Sequence, residues 1–277
     1  MRAAMLGLLA ETPIHPGAGR SMGVVDLPVA RESSTHYPVL VGSSLKGALK
    51  DKAAGIAPQG LSERFGSQER AGDFLVADAR LLLLPVRSLT TAFRWVTCPH
   101  LVERYARDLR RAGLTPPPPT PVVNKDEVLA TGREEADGGS LFLEERQFTV
   151  GGEPDDALVS SFEPLLLHAD TRERLKSQTA VLHDDDFAWF VRYGLSLQAR
   201  NVLDDETKQS KNLWYEETLP PDTVMHALVA ARTSDALATV DTLFPDEDPY
   251  LQAGGNETVG QGWFAVRVRR NDAGGDS

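Results

Sequence analysis

Three segments of this 277-residue chain carry residue types suited to phosphate chemistry or phosphate binding. The first, TPIHPGAGRSMGVVDLPVAR over residues 12 to 31, joins His15, Asp26, Arg20 and Arg31 in one loop rich in glycine and proline. A loop can present a carboxylate such as Asp26 to a scissile phosphate, where it would hold a divalent cation or orient an attacking hydroxyl. The same composition also suits a plain loop of turns in which Asp26 satisfies a backbone amide. The second segment, SSLKGALKDK, places Ser43, Ser44, Lys46 and Lys50 at a predicted helix start, where free amides and lysines suit a phosphate. An ordinary capped amphipathic helix explains it equally well. The third, GGNETVGQG, offers Gly254, Gly255, Gly260 and Gly262 for close backbone approach to a ligand. It lacks the GxGxxG spacing and the Lys-Ser/Thr pair of nucleotide cradles, so a hairpin connection is the competing explanation.

Composition bounds these options. Cys98 is the single cysteine, which excludes an intrachain disulfide and a cysteine zinc cage, and the six histidines lack HxxxH spacing. Any metal must therefore be held by carboxylates. No apolar run approaches the roughly 18 residues of a membrane span, and the N-terminus alternates as a strand with no signal-peptide h-region, so a cytoplasmic protein with no membrane partner is expected. A net charge of -11 speaks against a polyanion partner, yet basic residues cluster locally: Lys46, Lys50 and Lys52; Arg192, Arg200, Lys208 and Lys211; Arg267, Arg269 and Arg270.

The elements that must position these residues follow from periodicity. Residues 2 to 12 alternate as a strand, and HYPVLVG leads into a helix with a serine cap, Leu45, Leu49 and Ala53 on its inner face, and Gly55 as C-cap. DFLVADARLLLLPV and SLTTAFRWVTC pair as strands, PHLVERYARDLRRAG is an amphipathic helix ending at Gly113, and TPPPPTP is an extended linker. LFLEERQFTV is predicted as one strand, residues 157 to 178 as a helical region, and Asp184 to Asp186 as a solvated helix start, with metal binding as its alternative. A long β-hairpin spans LSLQARNVLDDETKQSKNLWYEETLP, with a polar tip at Asp204 to Lys211. DTVMHALVAAR is a strand, TSDALATVDTLF a helix and WFAVRVRR a closing strand before a disordered tail, NDAGGDS. The class is α+β without internal repeats.

In this order VDLPVARE, YPVLVGSSLKGALKD, Phe65-Gly66, VADARLLLLPVRSL, FRWVTCP, LHDDDF, YEETLPPDT and GGNETVGQGW resemble the landmarks of the backbone subunits of type III-B (Cmr) CRISPR effector complexes, members of the RAMP superfamily. The likeness runs from residue 1 to about 268 and is weakest over 115 to 155. It implies a single RAMP domain over 1–277: a modified RRM-like (ferredoxin-like) palm, an inserted helical region at about 115–195, and a projecting thumb hairpin at about 198–217. It further implies a cytoplasmic endoribonuclease with divalent-metal dependence (Mg2+ or Mn2+), whose partners are a guide RNA, a single-stranded target RNA, copies of itself in a helical filament, and other subunits. Guide gripping falls on Ser43, Ser44, Lys46, Lys50, Gly254, Gly255, Gly260 and Gly262; cleavage falls on Asp26, which would also hold the metal, with His15 and with Glu216 or, in preference, Glu217 as a second carboxylate. The rival readings are a non-catalytic RNA-binding scaffold, a metal-free guide-processing endonuclease of the same superfamily, and a small-molecule α+β enzyme.

Overall fold

The computed structural model describes residues 2–21, 23–56, 58–132 and 139–271; the tail from residue 272, expected to be disordered, lies outside them. In chain order the first part contains β1 (Arg2–Ala10), β2 (Val39–Leu40), α1 (Gly42–Ile56), α2 (Leu61–Phe65), β3 (Phe74–Val76), β4 (Ala79–Arg87), β5 (Phe93–Thr97) and α3 (Pro99–Arg111). Then come β6 (Glu127–Ala130), β7 (Ser140–Leu143), β8 (Arg146–Gly152), α4 (Asp156–Ser160), α5 (Ala169–Gln178), β9 (Thr179–Leu182) and α6 (Asp184–Tyr193). The last part holds β10 (Ser196–Leu203), β11 (Ser210–Thr218), β12 (Val224–Ala231), α7 (Ser234–Ala238), β13 (Tyr250–Gln252) and β14 (Trp263–Arg269).

One large mixed sheet organises these elements, in the order β13-β14-β1-β12-β4-β5-β9-β6-β8-β7, with β2 beside β4 and β3 beside β12. Its centre, β14-β1-β12-β4, is antiparallel throughout, with α1 between β1 and β4 in sequence and α7 between β12 and β14. β1 is covered on both faces, which is why its sequence is almost continuously apolar. Ala4, Leu6 and Leu8 pack in one core with Leu45, Leu49 and Ala53 of α1, while Met5 and Leu9 enter a second core with Trp95, Tyr105 and Phe162. Gly7, on that second face, lets the backbone of Leu165 approach so closely that a Cβ would stand 2.1 Å from its carbonyl oxygen.

Several sequence expectations need correction. α1 begins at Gly42, so Ser43 and Ser44 lie in its first turn, exposed, and the Gly42 amide is accepted by the Asp78 carboxylate at 2.7 Å. Gly55 lies inside that helix's last turn instead of capping it. LFLEERQFTV is two strands, β7 and β8, turning at Glu144 with φ 50°. The region 157 to 178 breaks into α4, a 3₁₀ turn at Glu163–Leu165 and α5. The insertion at 115–195 is not helical alone, since β6 to β9 within it extend the central sheet.

The acidic helix start is not solvated throughout. Asp186 is buried and ion-paired with Arg146 at 2.6 Å, and Asp184 accepts the His100 amide at the start of α3. Arg146 lies over the rings of Phe148, Trp189 and Phe190, so the pair is sealed by aromatic packing. β10 and β11 form a separate two-stranded sheet whose outer half is exposed, with Leu203 and Leu213 each about half accessible. At its tip Lys211, then the Thr207 and Glu206 amides, hold the Asp204 carboxyl down to about 2.

Candidate functional site

The loop carrying His15 and Asp26 is a folded arm. It doubles back on itself, Ala30 N donating to Pro16 O at 2.6 Å and Ala18 N to Pro28 O at 3.2 Å. Both limbs are then fastened to the strand that leaves the hairpin. Ile14 and Leu219 exchange amide bonds at 3.0 and 2.8 Å, while Leu27 N donates to Tyr215 O at 3.1 Å and Glu217 N to Leu27 O at 3.0 Å. Asp26, partly exposed, accepts the Tyr215 amide on Oδ2 at 2.8 Å, so the plain-loop reading of this carboxylate is right as far as that oxygen goes. Its Oδ1 has no partner among the described residues.

His15 sits deeper. Its Nδ1 lies 2.8 Å from the carbonyl oxygen of Glu217, and because a carbonyl can only accept, Nδ1 is the protonated nitrogen. Nε2 lies beside Gly17, where a Cβ would stand 3.0 Å away. Glu216 is buried, accepts Arg200 Nε at 2.9 Å and Asn256 Nδ2, and stands 3.4 Å from His15 Nδ1. Glu217 is also buried, and its carboxylate serves the loop: one oxygen takes the Val29 amide at 3.0 Å, the other Arg31 at 2.6 Å. The fold thus joins His15, Glu216 and Glu217 in one cluster and sets Asp26 next along the same strand. No hydrogen bond links Asp26 to His15 among the described residues.

The glycine-rich segment meets this cluster from the other side. Gly255 N donates to His15 O at 2.8 Å, and a Cβ on Gly254, whose φ is 96°, would stand 2.8 Å from that same oxygen. Gly262 is needed against Ala253 O, whereas Gly260 has open space around it. Three of the four glycines therefore permit close approach within the chain. Gly254 and Gly255 form one wall of a groove of about 820 Å³ whose opposite wall is α1, with Ser44 and Gly47 facing it. Asp51, Asp248 and Glu257 make the rest of that groove acidic around Lys52, which Asp248 holds at 2.7 Å. Ser43 and Lys46 open on a second hollow of about 650 Å³ with Arg111 and Leu75, and Lys50 projects into solvent.

The basic clusters are largely occupied internally. Arg200 is paired with Glu216, Lys211 with Asp204 and Arg270 with Asp241, while Arg267 and Arg269 donate to Leu166 O and Tyr105 Oη. Lys46, Lys50, Arg192 and Lys208 have no ion-pair partner among the described residues. The same residues contain no group of three His, Cys, Asp or Glu side chains arranged to cage a metal. One carboxylate oxygen, on Asp26, suits a hydrated Mg2+ or Mn2+ held mainly by phosphate and water, not a cation enclosed by protein.

Sequence reasoning gave no role to Arg31, Asn256 or Gln261. Arg31 bridges the Glu217 carboxylate, His36 O and Val191 O, tying the arm to α6. The narrow landmark FRWVTCP also proves architectural: Arg94 is buried and donates to Thr131 O at 2.8 Å, Trp95 Nε1 to Asp222 O at 2.8 Å, and Cys98 precedes α3.

A family model described as the RAMP superfamily matches residues 8–265. The CRISPR system Cmr endoribonuclease Cmr4 of Pyrococcus furiosus is 33% identical over 97% of this chain and 96% of its own length. A crystal structure of oligomeric Cmr4 from the same organism superposes with a TM-score of 0.78 at 28% identity, covering 98% of this chain and 99% of that one. The cryo-EM structure of the type III-B Cmr-beta complex bound to cognate target RNA contains a chain of the same fold, with a TM-score of 0.76, 19% identity and 97% coverage of both chains.

Proposed function

Since the chain belongs to the RAMP superfamily, we propose that it is the backbone subunit of a cytoplasmic CRISPR RNA-guided complex, that it lines up in copies along a guide RNA beside other subunits, and that it cuts the target RNA at regular intervals. The observation that carries this reading is the attachment of the Asp26 arm to β11, the root strand of a projecting hairpin. A hairpin that splays a duplex and an acid fixed at its base act on the same stretch of target. In this reading β14-β1-β12-β4 with α1 and α7 is a modified RRM-like palm, an assignment supported by its strand order, and β10-β11 is the thumb.

RNA carries its own nucleophile. The 2′-hydroxyl attacks the adjacent phosphorus, the 5′-oxygen leaves, and the products are a 2′,3′-cyclic phosphate and a 5′-hydroxyl. Asp26 stands ready to accept the 2′-hydroxyl proton or to hold the cation by its Oδ1, while the Tyr215 amide fixes its Oδ2. A bound divalent ion would supply charge neutralisation at the phosphate. His15, with Nδ1 fixed by Glu217 O, has Nε2 left for a phosphate oxygen or a leaving group. Glu217, enclosed by Val29 and Arg31, acts by holding the arm. Guide gripping is assigned to Ser43, Ser44, Lys46 and Lys50 on α1 and to the loop of Gly254, Gly255, Gly260 and Gly262.

One observation favours a scaffold instead: Asp26 already serves a backbone amide. The deciding experiment is cleavage of an end-labelled, guide-complementary RNA by the reconstituted complex with Mg2+ or Mn2+, wild type against Asp26→Asn. Evenly spaced products that vanish in the variant, with guide and target still bound, support slicing by this chain. Unchanged products leave it a scaffold.

A further inference from the structure

One buried polar network lies outside the roles just given. Glu216, 1% exposed, takes Arg200 Nε on one carboxylate oxygen at 2.9 Å and Asn256 Nδ2 on the other. Gln261 Oε1 accepts Asn256 Nδ2 at 2.9 Å and Arg200 Nη2 at 3.1 Å, and Gln261 Nε2 donates to Gln198 Oε1 at 3.3 Å. Gln198 and Arg200 belong to β10, Glu216 to β11, and Asn256 and Gln261 to the glycine-rich loop. The network therefore joins both strands of the hairpin root to the loop assigned to the guide.

Two features show that side-chain chemistry is required here. An ionised carboxylate accepts only, and every neighbour of Glu216 in the network is a donor. Asn256 has φ 65°, a conformation glycine would adopt at lower cost, yet this loop of many glycines keeps asparagine there, with its amide on Glu216. Glu216 also sits between the two β11 residues that hold the Asp26 arm, Tyr215 through the Asp26 carboxylate and Glu217 through Leu27 O.

We propose that Glu216, through Asn256 and Arg200, is a positioning residue that locks the hairpin root to the guide-facing loop and thereby fixes where Asp26 stands relative to the target phosphate. This rests on the slicing function proposed above. Asn256→Gly is the sharp test, because glycine adopts a φ of 65° without strain and the side-chain amide is lost.

The full complex reconstituted with Asn256→Gly, at saturating guide and target, should cut roughly ten- to a hundredfold more slowly per assembled complex. Glu216→Gln should do the same, and the double variant should fall no further than Glu216→Gln alone, the signature of one shared contact. A purely structural defect would lower the amount of complex and leave its rate untouched. Wild-type rates per complex in both single variants overturn the proposal. If wild type itself does not cut, the slicing function falls, and the network is judged by hydrogen exchange: Asn256→Gly must speed exchange at the Tyr215 and Glu217 amides, and unchanged exchange overturns it.

Discussion

The Asp26 carboxylate accepts the backbone amide of Tyr215 at 2.8 Å, so the acid assigned to cleavage is also a fastener between loop and hairpin. The two roles separate by substitution. Asp26→Asn keeps an oxygen for the Tyr215 amide and should lose cleavage by roughly a hundredfold or more with the arm still attached. Asp26→Ala loses both and should give up about 1 kcal/mol of stability. Trypsin would report it: cutting after exposed Arg20 should quicken in Asp26→Ala and not in Asp26→Asn. Equal quickening in both would mean that charge, not the hydrogen bond, holds the arm.

Metal removal should separate chemistry from folding. The described residues contain no protein cage for a cation, and the one carboxylate oxygen available on Asp26 needs phosphate and water to complete a coordination shell. Chelation by EDTA should therefore abolish target cleavage, restored by Mg2+ or Mn2+, while the thermal midpoint of the RNA-free chain stays put. A chelator-sensitive midpoint would reveal a structural ion. Cleavage that persists in EDTA would leave Asp26 with proton transfer alone.

What the sequence reveals here depends on how local the determining contact is. β1 and the inner face of α1 are readable because Leu6, Leu45 and Leu49 recur at the period of their element. The hairpin is readable because apolar arms flank a polar tip. The cap of α1 is not, since its acceptor Asp78 lies 36 residues away in the connection between β3 and β4. The β7–β8 turn hides because Glu144 and Glu145 look like strand surface, and only the positive φ of Glu144 betrays it. The same division runs through the site. Asp26 and His15 stand out as chemistry-bearing residues in a loop, whereas the partners of the Glu217 carboxylate do not show in the sequence. Those partners, Arg31 and Val29, are 186 and 188 residues distant.

Acid should weaken the central sheet through His226. Its ring is buried on β12, 3.3 Å from Asp108 and edge-on to Tyr105, and Nδ1 has no hydrogen-bond partner among the described residues. Burial, the largest influence, pushes its pKa below the ordinary 6.5, outweighing the Asp108 bond. A native pKa below the unfolded one means that the unfolded chain binds the extra proton first. The associated stability is full above about 6.5 and is lost as pH falls toward the native value. Asp108 adds to the loss only at lower pH, because His226 and the charges of Arg80 and Arg111 outweigh burial and hold it below 3.8. The urea midpoint should drop between about pH 7.5 and pH 5.5 in wild type and drop less in His226→Gln. An equal drop in both would assign the acid sensitivity to other groups.

The glycine-rich loop offers a graded test of why its glycines are there. At Gly254 an alanine methyl would stand 2.8 Å from the His15 carbonyl oxygen with φ at 96°, so overlap and backbone strain add. At Gly260 φ is 78° but nothing lies within 4 Å, which leaves backbone strain alone. Gly254→Ala should cost about 2 to 4 kcal/mol in chemical denaturation, and Gly260→Ala about 1 to 2 kcal/mol. Guide binding should follow the same order, for a separate reason. Displacing His15 O also moves the wall shared with Ser44, so Gly254→Ala should weaken guide affinity beyond its stability loss, measured by filter binding under conditions where both variants are folded. If Gly260→Ala impairs the guide more than Gly254→Ala does, the open face at Gly260 is where RNA approaches the loop, and the wall shared with Ser44 serves only the fold.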